Sequence, residues 1–304
     1  MTQRISKLRL LSAAVPGKFR DRFHPLYRMR KSVAGRTLLH RLDVPLWVRM
    51  PAVGWKVRAR LVSHAAYYLV PAPPEPEVVA LLSEINRMFA PRAFWDVGAN
   101  IGYYSWFLKT ENPGLELRLF EPDPRNVQLI EGTIRANRIP DTTLRSVAIT
   151  DRVGAAELTI DDLTGASSTL ERAEASFCQQ HWGVRGESLV VPVVTIDSER
   201  GGTAPVHLIK IDVEGHEESV LRGACETLRQ DQPIILAECF HGGSCLVRSL
   251  RQHDYVLMNT ERMDEDLSRG CNFLALPSRY RHALRELGNR WSVRVSEVRG
   301  HAPI

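Results

Sequence analysis

Apolar residues recur along this chain in two rhythms. Compact runs stand at Ala93–Val97, Leu115–Phe120, Leu144–Ile149, Val206–Ile211 and Pro233–Ala237. Each is short and bounded by turn formers, so each reads as a buried strand. Between the runs, apolar positions take helical spacing. Val78, Leu81, Leu82, Ile85 and Met88 predict a helix over Glu77–Phe89, and Tyr103–Leu108 begins another. Val127, Ile130 and Ile134 predict a third helix, opened by Pro122-Asp123-Pro124 and ending near Asn137. Proline is tolerated in a first helical turn, where its missing N–H needs no partner. Val220, Leu221, Ala224 and Leu228 mark a fourth, which follows the turn Val213–His216. A further helix from about Ser244 to His253, then strands near Tyr255–Met258 and Cys271–Leu276, would close the sheet. Strands alternating with helices predict an α/β fold on a mostly parallel sheet with helices on both faces.

The flanks read differently. Residues 1–42 mix basic and apolar positions and suggest one or two short helices. Val44–Met50 and Trp55–Val62 look like two strands joined by the turn Pro51–Gly54, a hairpin capping the domain. Pro71-Ala-Pro-Pro-Glu-Pro76 breaks the chain and suggests a boundary. Residues 155–195 form an insertion, with strand-like Ala156–Ile160 and Leu189–Val194 around a polar loop, Thr164–Thr169. That loop could be a lid or only a hairpin connection. Three parts are therefore expected: a basic extension with its hairpin (1–75), the catalytic domain (76–277) and an Arg-rich tail (278–304).

Charge sharpens this division. The net charge is +5, but residues 1–70 hold fifteen Lys or Arg against Asp21 and Asp43, so they carry +13 and the remainder −8. Such an arm can meet nucleic acid, an anionic lipid surface or an acidic partner, or can pack on the acidic body of its own domain. The basic residues are scattered and no RNA-binding motif accompanies them, which favours packing. The apolar stretch Leu10–Val15 is short and ends at Pro16, unlike a signal peptide, and no run is long enough for a membrane span. A cytoplasmic protein is expected. The five cysteines form no C-x-x-C pair and no zinc-ligand spacing, so no metal site is expected.

Candidate chemistry concentrates in Asp96-Val-Gly-Ala-Asn-Ile-Gly102, between the first strand and its helix. Glycines there let the backbone approach a ligand, and the helix N-terminus offers free N–H groups. Glu121 ends the next strand, nineteen residues after Gly102, where it can accept from both hydroxyls of a ribose. A dinucleotide site would need G-x-G-x-x-G, which is absent, and Asp96 would repel a pyrophosphate. A carboxylate there suits the sulfonium and α-amino groups of S-adenosylmethionine (SAM). Asp96, Glu121, Asp212 and Glu238 fall at the ends of four successive strands, the rim where open α/β sheets bind ligands. Asp212, Glu238, His216 and His241 are the candidates to position an acceptor and take its proton. A divalent cation between the carboxylates lacks an evident third ligand.

Asp96–Ser105, Glu121-Pro-Asp-Pro124 and Leu208-Ile-Lys-Ile-Asp-Val-Glu-Gly-His-Glu217 resemble, in order, three signature blocks of the FkbM-type SAM-dependent methyltransferases. The resemblance spans roughly residues 93–260, with His216 a departure where the family often has a small residue. It implies the class I (Rossmann-like) methyltransferase fold with a seven-stranded sheet. It also implies SAM held by Asp96, Gly98, Ala99, Asn100, Gly102, Glu121, Pro122 and Asp212, with Ser146, Val147 and Ala148 along the adenine. The family's Gly-Ser stretch near the active site matches the 164–169 loop. The implied reaction is O-methylation of a hydroxyl on a sugar, glycan or secondary metabolite. A nucleic-acid methyltransferase using the basic arm and a SAM-binding relative without turnover are the alternatives.

Overall fold

The computed structural model describes residues 32–160, 168–170, 187–201, 204–239, 243–268 and 270–300. His241, Phe177–Gly186 with His181 and Trp182, most of the 164–169 loop and the first part of the basic arm lie outside these residues. The chain runs through α1 (Val33–Leu42), β1 (Pro45–Arg49), β2 (Lys56–Arg60), α2 (Ala66–Leu69), α3 (Pro76–Phe89), β3 (Ala93–Val97) and α4 (Tyr103–Glu111). It continues through β4 (Glu116–Phe120), α5 (Pro124–Asn137), β5 (Thr142–Arg145), β6 (Ala148–Ile149), β7 (Gly154–Thr159), β8 (Ser188–Val194) and α6 (Ile196–Arg200). The last part holds β9 (Leu208–Ile211), α7 (Glu217–Arg222), α8 (Cys225–Gln230), β10 (Ile234–Glu238), α9 (Ser244–Leu250), β11 (Tyr255–Asn259), β12 (Asn272–Pro277) and α10 (Leu284–Gly300).

The central sheet has seven strands in the order β11-β12-β10-β9-β3-β4-β5. Strands β10, β9, β3, β4 and β5 are parallel, and β12 runs antiparallel between β10 and β11. Side chains alternate cleanly between its faces. Phe94, Leu208, Leu236 and Leu274 enter one apolar core with α3, α4, α5 and α10. Trp95, Ile209, Ile235 and Phe273 enter another, covered by α6 to α9. The strand order reverses between β9 and β3, opening a crevice at their carboxyl ends.

One expectation is corrected. The run Leu144–Ile149 is not one strand. β5 pairs with β4 only as far as Arg145 opposite Phe120; Glu121 N–H still donates to the Arg145 carbonyl at 3.1 Å, but the next donor on that side, Asp123 N–H, is taken by Glu121 Oε1. The chain bends at Ser146-Val147, and β6 joins a separate three-stranded sheet ordered β6-β8-β7. Packing is continuous across Pro71–Pro76. Hairpin residues Val48, Met50, Val57 and Ala59, with Tyr68, share one core with Leu81, Trp106 and Ile130. Arg58 N–H donates to Thr133 Oγ1 at 3.0 Å, and Asn137 Nδ2 donates to the Lys56 carbonyl at 3.0 Å, fixing β2 on α5. The Arg-rich tail holds a docked helix, α10. Leu287, Trp291 and Val295, at i, i+4 spacing, enter the same core, and Arg294 meets Glu84 of α3 at 3.1 Å.

Candidate active site

Strand β3 delivers the chain into a turn where Gly98 (φ +80°), Asn100 (φ +54°) and Gly102 (φ +78°) all take the left-handed region. The glycines first serve the protein's own packing. A Cβ on Gly98 would stand 1.8 Å from the carbonyl oxygen of Asp212, and one on Gly102 would stand 2.6 Å from the Trp106 indole. This close approach lets the exits of β3 and β9 meet. The turn's N–H groups are largely engaged: Gly98 and Ala99 both donate to the Phe120 carbonyl at 3.0 Å.

Glu121 sits 5% exposed at the foot of the crevice. Its Oε2 accepts from Asn100 N–H at 2.7 Å and its Oε1 from Asp123 N–H at 2.9 Å. Burial is the largest influence on this carboxyl and pushes its pKa up to about 8, against those hydrogen bonds. Asp123 in turn caps α5 by accepting from Arg125 N–H at 2.9 Å. Asp96 lies deeper, accepts from Ser105 Oγ at 2.7 Å and is raised from its ordinary value chiefly by burial.

Beside Glu121 opens a cleft of about 560 Å³, its mouth included, bordered by Gly98, Asn100, Pro122, Val147, Ala148 and Asp212 among others. Asp96, Ala99, Gly102 and Ser146 lie outside its lining, beneath or beside it. The lining also takes in Glu214 of the turn after Asp212, and Asn126, Leu158 and Leu170, which sequence reading passed over. Asn126 was in reach of it, since the first turn of α5 follows Glu121 directly. His216 borders the cleft with its Nε2 2.8 Å from Thr150 Oγ1.

A second group of polar side chains adjoins Asp212. Lys210 is 2% exposed, its Nζ 2.7 Å from Asp212 Oδ2 and 4.5 Å from the centre of the Tyr104 ring. Burial alone would discharge this ammonium, but the carboxylates of Asp212, Glu75, Glu238 and Asp96 around it raise its pKa above the ordinary lysine value. Glu238 is raised to about 9, by burial first and then by the charges of Asp212 and Glu75. Among the described residues, no group of three or more His, Cys, Asp or Glu is arranged to hold a metal ion.

A mostly parallel seven-stranded sheet with this turn, acid and crevice is the class I methyltransferase architecture. A protein-family model described as "Methyltransferase FkbM domain" matches residues 96–274, and the chain belongs to that family, whose cofactor is SAM. It is 30% identical over 151 residues to 31-O-demethyl-FK506 methyltransferase FkbM of Streptomyces tacrolimicus, covering 42% of this chain and 58% of that protein. The chain thus spans 58% of the length of this curated relative. Among solved structures it is similar to Methyltransferase FkbM from Methylobacillus flagellatus KT, at 18% identity and TM-score 0.41, covering 61% of this chain and 43% of the other. It is also similar to a precorrin-6y C5,15-methyltransferase from Geobacter metallireducens GS-15, at 13% identity and TM-score 0.39, covering 68% and 89%.

The residues fit the cofactor. Glu121 is a nine-tenths buried acceptor whose oxygens keep lone pairs for ribose hydroxyls, and Val147, Ala148 and Leu158 give apolar walls for a base. Asp212 carries negative charge at the same cleft, as a cationic ligand requires. No described helix is long and apolar enough to cross a membrane.

Proposed function

We propose that the protein transfers a methyl group from SAM to a hydroxyl of a small polyhydroxylated molecule, a sugar, glycan or secondary metabolite. One observation carries the reading: the SAM cleft is lined by Asp212, and Glu238 ends the strand beside it, so two strand-end carboxyls stand next to the cofactor site. When bound, SAM supplies an electrophilic methyl on a sulfonium. Glu121 would hold the ribose, Asn100 and Gly98 would border the methionine half, and Val147 and Ala148 would flank the adenine.

Asp212, paired with Lys210 at 2.7 Å, accepts a hydrogen bond from the acceptor hydroxyl and orients its oxygen. Glu238 on the neighbouring strand takes the proton as the new C–O bond forms. A carboxyl with a raised proton affinity is a stronger base than an ordinary one, and positioned proton transfer contributes typically ~10²–10⁴-fold in rate. His216, engaged with Thr150, borders the cofactor and is assigned no proton transfer.

The test is methyl transfer from labelled SAM to polyhydroxylated acceptors, beside calorimetric SAM binding. Glu238→Gln should lose about 100-fold or more in turnover with SAM affinity retained. In the parent, turnover should climb with pH toward about 9 as Glu238 ionises, and that limb should vanish in the variant. Parental turnover in both Glu238→Gln and Asp212→Asn would sink this assignment.

A further inference from the structure

The polar residues of the second group share one face of the sheet. Along β9, Leu208, Lys210 and Asp212 follow one another at two-residue steps, and along β10 so do Leu236 and Glu238. On β12, Leu274 stands opposite Leu236 and Asn272 opposite Glu238. Directly opposed residues of an antiparallel pair project to the same side, so Asn272 stands beside Glu238. The apolar core of this face therefore ends, at the carboxyl edge, in a row formed by Asp212, Glu238 and Asn272 on three neighbouring strands.

Asn272 is 9% exposed, and its amide is fixed from outside the sheet. Its Nδ2 donates to Glu75 Oε1 at 2.9 Å, while the other oxygen of Glu75 accepts from the Tyr104 hydroxyl. A carboxylate only accepts, so the Asn272 NH₂ must face Glu75 and its Oδ1 must point away. That Oδ1 is buried and has no hydrogen-bond partner among the described residues. Buried polar atoms are nearly always paired, so an orphaned one at the strand-end rim calls for a partner that a ligand group can supply. Glu75 lies upstream of residues 96–274, the stretch that the family model matches.

We propose that Asn272 recognises the methyl acceptor, its Oδ1 accepting a hydrogen bond from a hydroxyl next to the one that Asp212 holds, with Glu75 as the positioning residue that fixes its amide. The inference rests on the methyltransferase reading. It commits to an acceptor with neighbouring hydrogen-bond donors and no anionic group beside them. The carboxylates of Glu75 and Asp212 outnumber the single ammonium of Lys210, and Glu238 joins them as it ionises, so an acceptor bearing a carboxylate or phosphate at this position is repelled. A neutral or amino-bearing sugar ring fits.

The experiment compares methyl glucopyranoside, methyl glucosaminide and methyl glucuronide as acceptors for the full-length protein, with SAM binding measured by calorimetry. The neutral and amino rings should be methylated at least tenfold more efficiently than the uronide. Asn272→Leu should raise the acceptor KM about tenfold with kcat within threefold and SAM affinity unchanged, a split that a loss of fold would not produce. Glu75→Leu should raise KM likewise, and Glu75→Gln should recover most of that loss while narrowing the discrimination against the uronide. A parental KM in a folded Asn272→Leu, or equal use of uronide and neutral ring by the parent, overturns the proposal. So does failure to methylate any of the three rings while SAM binds, an outcome that leaves the cofactor site standing. Absence of SAM binding in the parent would instead overturn the methyltransferase reading and this inference with it.

Discussion

Replacing Gly98 with alanine tests how the cofactor turn is built. The new Cβ would stand 1.8 Å from the Asp212 carbonyl oxygen, where ordinary contact needs about 3.4 Å, so backbone must move by roughly 1.6 Å. It cannot move freely, because Asp212 N–H donates to the Val97 carbonyl at 2.9 Å immediately below and ties the two strands together. Holding alanine at φ +80° adds roughly 1–2 kcal/mol, overpacking about 1–3, and loss of the strand–strand hydrogen bond about 1. Gly98→Ala should therefore lower unfolding free energy by about 3–6 kcal/mol, read from urea denaturation, and weaken SAM binding through displacement of Asp212. Gly288→Ala is the matched control. It lies in α10 with nothing within 4 Å of the new methyl, and should stabilise by about 0.5–1 kcal/mol. A Gly98→Ala protein within 1 kcal/mol of the parent would refute the packing argument.

Other consequences can be measured separately. Glu121 rises from an ordinary 4.5 to about 8 on folding, so the folded chain holds its proton more tightly and stability should fall as pH rises across that interval. Denaturant midpoints between pH 5 and 8 should show the slope, and Glu121→Gln should flatten it. Lys210→Met leaves the carboxyls of Asp212, Glu75 and Glu238 without their cation, so the rising limb of the pH–rate profile should move to higher pH; an unmoved limb would remove Lys210 from the site's electrostatics. Deleting residues 1–70 removes Val57, Ala59 and Tyr68 and uncovers Leu81, Trp106 and Ile130, so the shortened chain should lose cooperative unfolding by circular dichroism. Soluble, cooperative behaviour would show instead that the hairpin is dispensable.

The sequence by itself determined whatever depends on neighbours along the chain. Strand runs, helical spacing and the Asp96–Gly102 turn are local patterns, and the parallel sheet with its strand-end acids follows from their alternation. The hairpin was legible for the same reason, since Trp55–Leu61 alternates as a half-exposed strand does. What pairs with what across the sheet is non-local, and the tertiary structure alone decided it. Whether Leu144–Ile149 is one strand depends on how far β4 can pair before the Glu121 carboxyl takes the Asp123 N–H and the ladder ends. Pro71–Pro76 reads locally as a linker, yet the core that buries Val57 beside Trp106 spans both of its sides. Lys210 passes for one more residue of an apolar run until Asp212, Glu75 and Glu238 are seen around it. Glu75 and Asn272 meet at 2.9 Å across 197 residues of sequence. Side-chain spacing within one strand is fixed by backbone geometry, whereas contact between distant segments is fixed by how the whole chain buries its apolar surface, and no short window of sequence contains that.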